Sequence, residues 1–170
     1  MNNKGFTFIE TLVYIAIIGM VVVSFVMFAL SISNTRNKNY VIQEVQANAR
    51  TAQGIINQKI RAATGINTES STFGSDPGVL SLSMADSAKN PTIINLDQDN
   101  GILRITEGLS DPVVIVSNKV KITNLVFTDL TSADSRGNIR IQMTVEYNTS
   151  LSDIKYRYSQ SLQTAVSLRQ

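Results

Sequence analysis

Between Leu12 and Ile32 the chain reads LVYIAIIGMVVVSFVMFALSI, with no charge and no proline. As a helix rising 1.5 Å per residue this run would cover about 31 Å, one bilayer hydrocarbon core. A secretory h-region is only about 7 to 15 residues long and ends at a small-residue cleavage site. Here Arg36, Asn37 and Lys38 follow with no A-x-A site, so the pattern predicts a single retained span rather than a removed signal. Apolar residues then recur at Val41, Val45, Ala49, Ala52, Ile56, Ile60 and Ala63, in the steps of three and four that make one helical stripe. Arg50, Gln53, Gln58, Lys59 and Arg61 lie largely off that stripe. Gly54 weakens such a helix without breaking it, and Thr64-Gly65 offers a stop, with Gly65 as a left-handed cap. A continuous helix from Phe6 to Thr64 would be about 88 Å long.

Past Gly65 the period changes to two. Residues 66–78 read as a polar connector, and strands are expected at Val79–Met84, Thr92–Leu96, Ile102–Ile105, Val113–Val116 and Lys119–Thr128. Asn100-Gly101 marks a hairpin between the second and third of these. After a turn at Arg136-Gly137-Asn138, Ile139, Ile141, Met143, Val145 and Tyr147 alternate with polar residues, the mark of an antiparallel strand with one wet face. A last strand runs about Tyr156 to Leu168, with Leu162, Thr164, Val166 and Leu168 on one face. The expected fold is α+β. A long N-terminal helix spans a membrane with its first half and carries on its second half an antiparallel sheet of six or seven strands, folded around the stripe.

Composition narrows the chemistry. With no cysteine and no histidine, disulfides, thiolate zinc sites, cysteine nucleophiles and Ser-His-Asp triads are excluded. A net charge of +2 from 15 basic and 13 acidic residues, scattered along the chain, makes no nucleic-acid surface. No cofactor is expected, and enzyme function is disfavoured.

One carboxylate breaks the apolar N-terminus. Glu10 lies two positions before the run, behind Phe6, Phe8 and Ile9. A charge carried into hydrocarbon costs about 2.5 to 3.5 kcal/mol, so it either stays at the headgroups or has a partner. The surrounding MNNKGFTFIETLVY has a short polar leader with Lys4, then Gly5, Phe6, Thr7, and Glu10 five places after Gly5. This resembles the class III signal of type IV prepilins and pseudopilins. The resemblance implies a cut at Gly5-Phe6 by a membrane aspartyl peptidase, N-methylation of Phe6, and a subunit-assembly role for Glu10. In that family the glutamate is thought to pair with the terminal amine of a neighbouring subunit. The implied division is leader 1–5, transmembrane helix 6–35, amphipathic continuation 36–65 and β-rich head 66–170. The implied partners are prepilin peptidase, other pilin-type subunits and membrane lipid. The implied location is the cytoplasmic membrane, single-pass, with the head extracytoplasmic, and then a filament. More loosely, DPVVIVSNKVKITNLVFTDL from Asp111, the strand NIRIQMTVEY and the closing QTAVSLRQ resemble the J-type minor pseudopilins and priming minor pilins. A second reading keeps the same anchor but gives the head to DNA uptake or adhesion.

Three weaker signals stand beside these. Asp97-Gln98-Asp99-Asn100-Gly101 looks like the opening of a calcium loop but lacks the glutamate at its twelfth place, and hairpin tips select the same residues. Tyr147, Tyr156 and Tyr158 would suit a stacking platform, or simply strand packing. Asn148-Thr149-Ser150 fits a glycosylation acceptor pattern.

Overall fold

The computed structural model describes residues 5, 7–132, 137–150 and 156–169. A helix, α1, spans Phe8–Ala62. Eight strands follow among the described residues: β1 Ala63–Ile66, β2 Leu80–Met84, β3 Thr92–Asp97, β4 Ile102–Glu107, β5 Val113–Val114, β6 Val120–Asp129, β7 Asn138–Tyr147 and β8 Ser159–Ser167. The α+β class is as expected. The strands, however, form two antiparallel sheets rather than one, β1-β2-β3-β4-β5 and β6-β7-β8. The chain divides into two compact units, Met1–Asn39 and Tyr40–Gln170.

The helical stripe is the centre of the second unit. Val45, Ala49, Ala52, Ile56, Ile60 and Ala63 are buried in one cluster with Leu80, Leu82, Ile94 and Leu103 of the first sheet and Leu125, Phe127, Ile141 and Val145 of the second. The small residues at 49 and 52 let strand side chains close on the helix backbone, while Ile56 and Ile60 fill the space between. β7 buries Ile139, Ile141, Met143 and Val145 in strict alternation, as its sequence demands.

The expected helix stop is different. Gly65 has no positive φ and lies within β1, opposite Ser83. The chain passes directly from α1 into a strand, and pairing with β2 takes up backbone groups that a left-handed cap would otherwise satisfy. β5 is also shorter than the pattern suggested, with only Val113 and Val114 paired to β4. Ile115 adds one backbone bond to Leu103 at 3.2 Å, and Val116 turns inward to be buried. Of the Arg136-Gly137-Asn138 turn, Arg136 lies outside the described residues.

The β3–β4 hairpin encloses residues 98–101, with Gly101 at φ 65°. A Cβ there would stand 2.7 Å from the Lys121 Cβ, so both the turn and the approach to β6 require glycine. The outer edge of β6 is covered by backbone from the first half of the unit. Ile122 donates to the Gly101 carbonyl at 2.8 Å, Gly78 donates to that of Leu125 at 2.7 Å, and Gly74 donates to that of Phe127 at 2.8 Å. Asp76 Oδ1 accepts from the Leu125 N–H at 2.8 Å.

A polar network ties the β5–β6 connector to α1. Asn48 Oδ1 accepts from the Ser117 N–H at 2.8 Å, and Glu44 Oε1 accepts from the Ser117 hydroxyl and from Asn48 Nδ2, both at 3.1 Å. These side chains are partly buried and mutually satisfied, so each holds the others in a single arrangement.

Candidate functional site

At its N-terminus α1 begins on a local exchange of hydrogen bonds. Thr7 stands just before the helix, its Oγ1 accepting from the Glu10 N–H at 3.3 Å and its carbonyl from the Thr11 N–H at 3.2 Å. The Thr11 hydroxyl adds a bond to the same carbonyl at 3.3 Å. Thr7-Phe8-Ile9-Glu10 thus has the T-x-x-E spacing of a capping box, with Thr7 supplying the acceptor that the first turn lacks. Glu10 is the acidic residue of that turn, where the helix dipole favours negative charge. In the sequence Thr7 stands out only as a motif position. Its spacing from Glu10 is the signal that would have revealed the cap.

Gly5 has nothing within 4 Å of where a Cβ would sit. Phe6, the expected new terminus and methylation site, lies outside the described residues, as does Lys4. The structure therefore brings Thr7 and Glu10 together.

Behind the cap the helix is bare. Every large apolar side chain from Phe8 to Ile32 is exposed, including Leu12, Ile18, Phe25 and Leu30. The most apolar window has a mean hydropathy of 2.8, and none of it is buried within the protein. A buried aliphatic or aromatic side chain gains about 1.5 to 3 kcal/mol over an exposed one, so this surface would cost tens of kcal/mol in water. Its length and composition suit a membrane span. Ser24 and Thr35 do not interrupt it. Each returns its hydroxyl to a carbonyl one turn back, Met20 at 2.8 Å and Ser31 at 2.9 Å.

The other candidates resolve into structural roles. Asp97 Oδ2 accepts from the Arg104 guanidinium and, at 3.1 Å, from Asn100 Nδ2. The Asn100 hydrogen bond, with Arg104 assisting, holds this carboxyl below its ordinary range. Its oxygens are occupied within the hairpin, and no cluster of three acidic groups that could hold a metal occurs among the described residues. Tyr147 and Tyr158 pack against the hydrophobic core rather than forming an open platform, and the Tyr147 N–H donates to the Tyr158 carbonyl at 3.0 Å. Asn148 donates its amide N–H to the Lys119 carbonyl at 2.8 Å and its Nδ2 to that of Asn118 at 3.0 Å.

No curated protein and no solved structure matches the chain. Its beginning does find a match, over the capped turn and most of the bare apolar run. Residues 1–26 fit the family model described as the prokaryotic N-terminal methylation motif, which is the class III signal of type IV pilins and pseudopilins.

Proposed function

We propose that this chain is a structural subunit, a minor pseudopilin or minor pilin. It is cut by a prepilin peptidase between Gly5 and Phe6 and methylated at Phe6. It is then incorporated into, or primes, a type II secretion pseudopilus or type IV pilus. The observation that carries the reading is the uncovered apolar stretch from Phe8 to Ile32, most of which falls within the methylation motif at residues 1–26. A conventional signal peptidase would discard such a helix. A cut before it keeps the helix as an anchor that can later exchange lipid for the apolar faces of neighbouring subunits.

Glu10 gives that exchange a register. After the cut, Phe6 carries a cationic amine about one helical turn from Glu10. Amine and carboxylate are each costly in an apolar bundle and tolerable together, so pairing between neighbours selects one axial offset. Before assembly the subunit sits in the cytoplasmic membrane by one span, with residues 66–170 as the extracytoplasmic head. The role is assembly, with no reaction of its own and no cofactor.

The test is the intact mass of membrane-extracted protein made with and without a prepilin peptidase. Loss of the five leader residues with gain of one methyl, only when the enzyme is present, is the expected result. An unchanged mass would leave a signal-anchored protein and remove the role given to Glu10.

A further inference from the structure

We infer that Asn100-Gly101, at the tip of the β3–β4 hairpin, is a self-modifying site in the folded protein. There the Asn100 carboxamide is converted to a carboxylate, as aspartate and isoaspartate, and the conversion releases the hairpin from β6.

The chemistry needs a carboxamide followed by a backbone N–H that can reach it. The Gly101 nitrogen attacks the Asn100 Cγ and forms the new C–N bond. The Cγ–Nδ2 bond breaks, and ammonia leaves carrying the proton that the Gly101 nitrogen gave up. Water then opens one of the two carbonyls of the resulting succinimide ring. Opening on the side-chain carbonyl gives aspartate. Opening on the main-chain carbonyl gives isoaspartate, whose backbone runs through Cβ and Cγ. Water is the only co-reactant. Glycine favours the attack because it places no Cβ beside the incoming nitrogen. Asn100 is the one asparagine in the sequence that glycine follows.

The fold leaves this pair open. Asn100 is exposed, and with Gly101, Gln98, Asp99, Lys121 and Asn148 it lines a cleft of about 550 Å³ that admits water. The Gly101 N–H donates to no backbone partner among the described residues, although the Gly101 carbonyl accepts from Ile122. One contact holds the reacting amide: Asn100 Nδ2 donates to Asp97 Oδ2 at 3.1 Å. Asp97 does not depend on it, because the Arg104 guanidinium donates to the same oxygen. Releasing one exposed hydrogen bond to a carboxylate slows ring closure by roughly tenfold against a free chain and does not prevent it. Asn48 shows the contrast. Both ends of its amide are engaged, with Glu44 and with the Ser117 N–H, and it is followed by Ala49 inside α1, where the backbone nitrogen is already a helical donor.

The place of the product gives it an effect. A carboxylate at position 100 removes a donor from Asp97 and sets a like charge beside it, leaving Arg104 to hold both. Isoaspartate also lengthens the backbone by one methylene immediately before Gly101. The φ of 65° at Gly101 and its close approach to Lys121 leave no slack to absorb that length. The Gly101 carbonyl is therefore drawn off the Ile122 N–H, which it holds at 2.8 Å. One of the backbone closures on the outer edge of β6 opens, slowly and irreversibly. Nothing in this requires leader cleavage or filament assembly.

The test uses full-length protein in detergent, held in mildly alkaline heavy-oxygen water and followed by peptide mapping. The Asn100 peptide should be the first to gain one heavy oxygen and to become a substrate for an isoaspartyl methyltransferase. The same chain unfolded in urea should convert faster by roughly tenfold at most, and Asp97→Ser should remove most of that lag in the folded protein. Asn100→Ser should take up no oxygen there. Hydrogen exchange at Ile122 should rise in the isoaspartyl form and stay slow in Asn100→Asp, which carries the charge without the added methylene. A folded protein that keeps Asn100 intact while the unfolded chain converts would overturn the site. So would uptake that begins at another asparagine. Unchanged exchange at Ile122 in the isoaspartyl form would overturn the release of β6.

Discussion

Lys119 donates a hydrogen bond to the Tyr40 hydroxyl at 2.6 Å while its Nζ stands 5.3 Å from the centre of that ring, across 79 positions of sequence. The Tyr40 hydroxyl chiefly, helped by the Glu44 carboxylate, raises the lysine above its ordinary value of 10.5. A raised lysine contributes stability that is complete below its unfolded value and is lost as pH rises through the folded one. The melting temperature should therefore fall faster above about pH 10.5 in the parent than in Lys119→Met. Parallel alkaline limbs in calorimetric scans of the two proteins would remove this coupling.

Asp97 sets the opposite limb. Its carboxyl is lowered by Asn100 and Arg104, so its contribution is present above the unfolded value of 3.8 and disappears as pH falls through the lower, folded one. Asp97→Asn should flatten the acid side of the stability profile below about pH 4 while costing little of the fold. Circular-dichroism melts between pH 2 and 6 would show it.

The core should respond according to burial on the helical stripe. Ile56 is fully buried between the two sheets, so Ile56→Ala should cost about 2 to 5 kcal/mol. Gly101→Ala should also destabilise, by about 1 to 3 kcal/mol, through both the positive φ and the clash with Lys121. Urea unfolding in detergent reads both, and a neutral Gly101→Ala would mean the hairpin does not rest on β6.

At the N-terminus, cap and charge should separate. Thr7→Ala removes the acceptor for the Glu10 N–H and should weaken the first turn by about 0.5 to 2 kcal/mol, read as faster amide exchange at Glu10 and Thr11. Glu10→Ala should leave insertion intact and abolish or reduce incorporation into filaments. Normal assembly by that variant would end the register role.

Replacing Gly5 with a bulky residue should leave unprocessed precursor in the membrane. Immunoblots of membrane fractions would decide, and unchanged processing would refute the Gly5-Phe6 cut.

Much of the fold is legible because it is written in periodicity. The stripe from Val41 to Ile60 and the alternation through β7 each use one period without interruption, and tertiary packing follows them. Asn100-Gly101 marked its hairpin because only a few residue types tolerate that backbone. Gly65 is not the helix cap its sequence suggests because it satisfies the chemistry of a cap as well as that of a strand, and the decision lies with the β2 backbone some eighteen residues away. Division into two sheets depends on which strand edges meet, and alternation along one strand carries no trace of its neighbour. Glu10 stood out as a charge in apolar surroundings. Its capping partner Thr7 did not, because a threonine beside a membrane helix needs no explanation.

The covered edge of β6 bears on how this unit could be cut or rearranged. Gly74, Gly78 and Gly101 belong to the stretch carrying the first sheet, yet their backbones meet the open side of the second. The two sheets are thus not interchangeable parts. A fragment ending in the connector after β5 would strand two loops with nothing to grip, and one beginning at β6 would expose a ten-residue ribbon edge ready to recruit foreign strands. Splitting the protein there should yield two sticky pieces, whereas circular permutation that keeps both halves in one chain retains the closure.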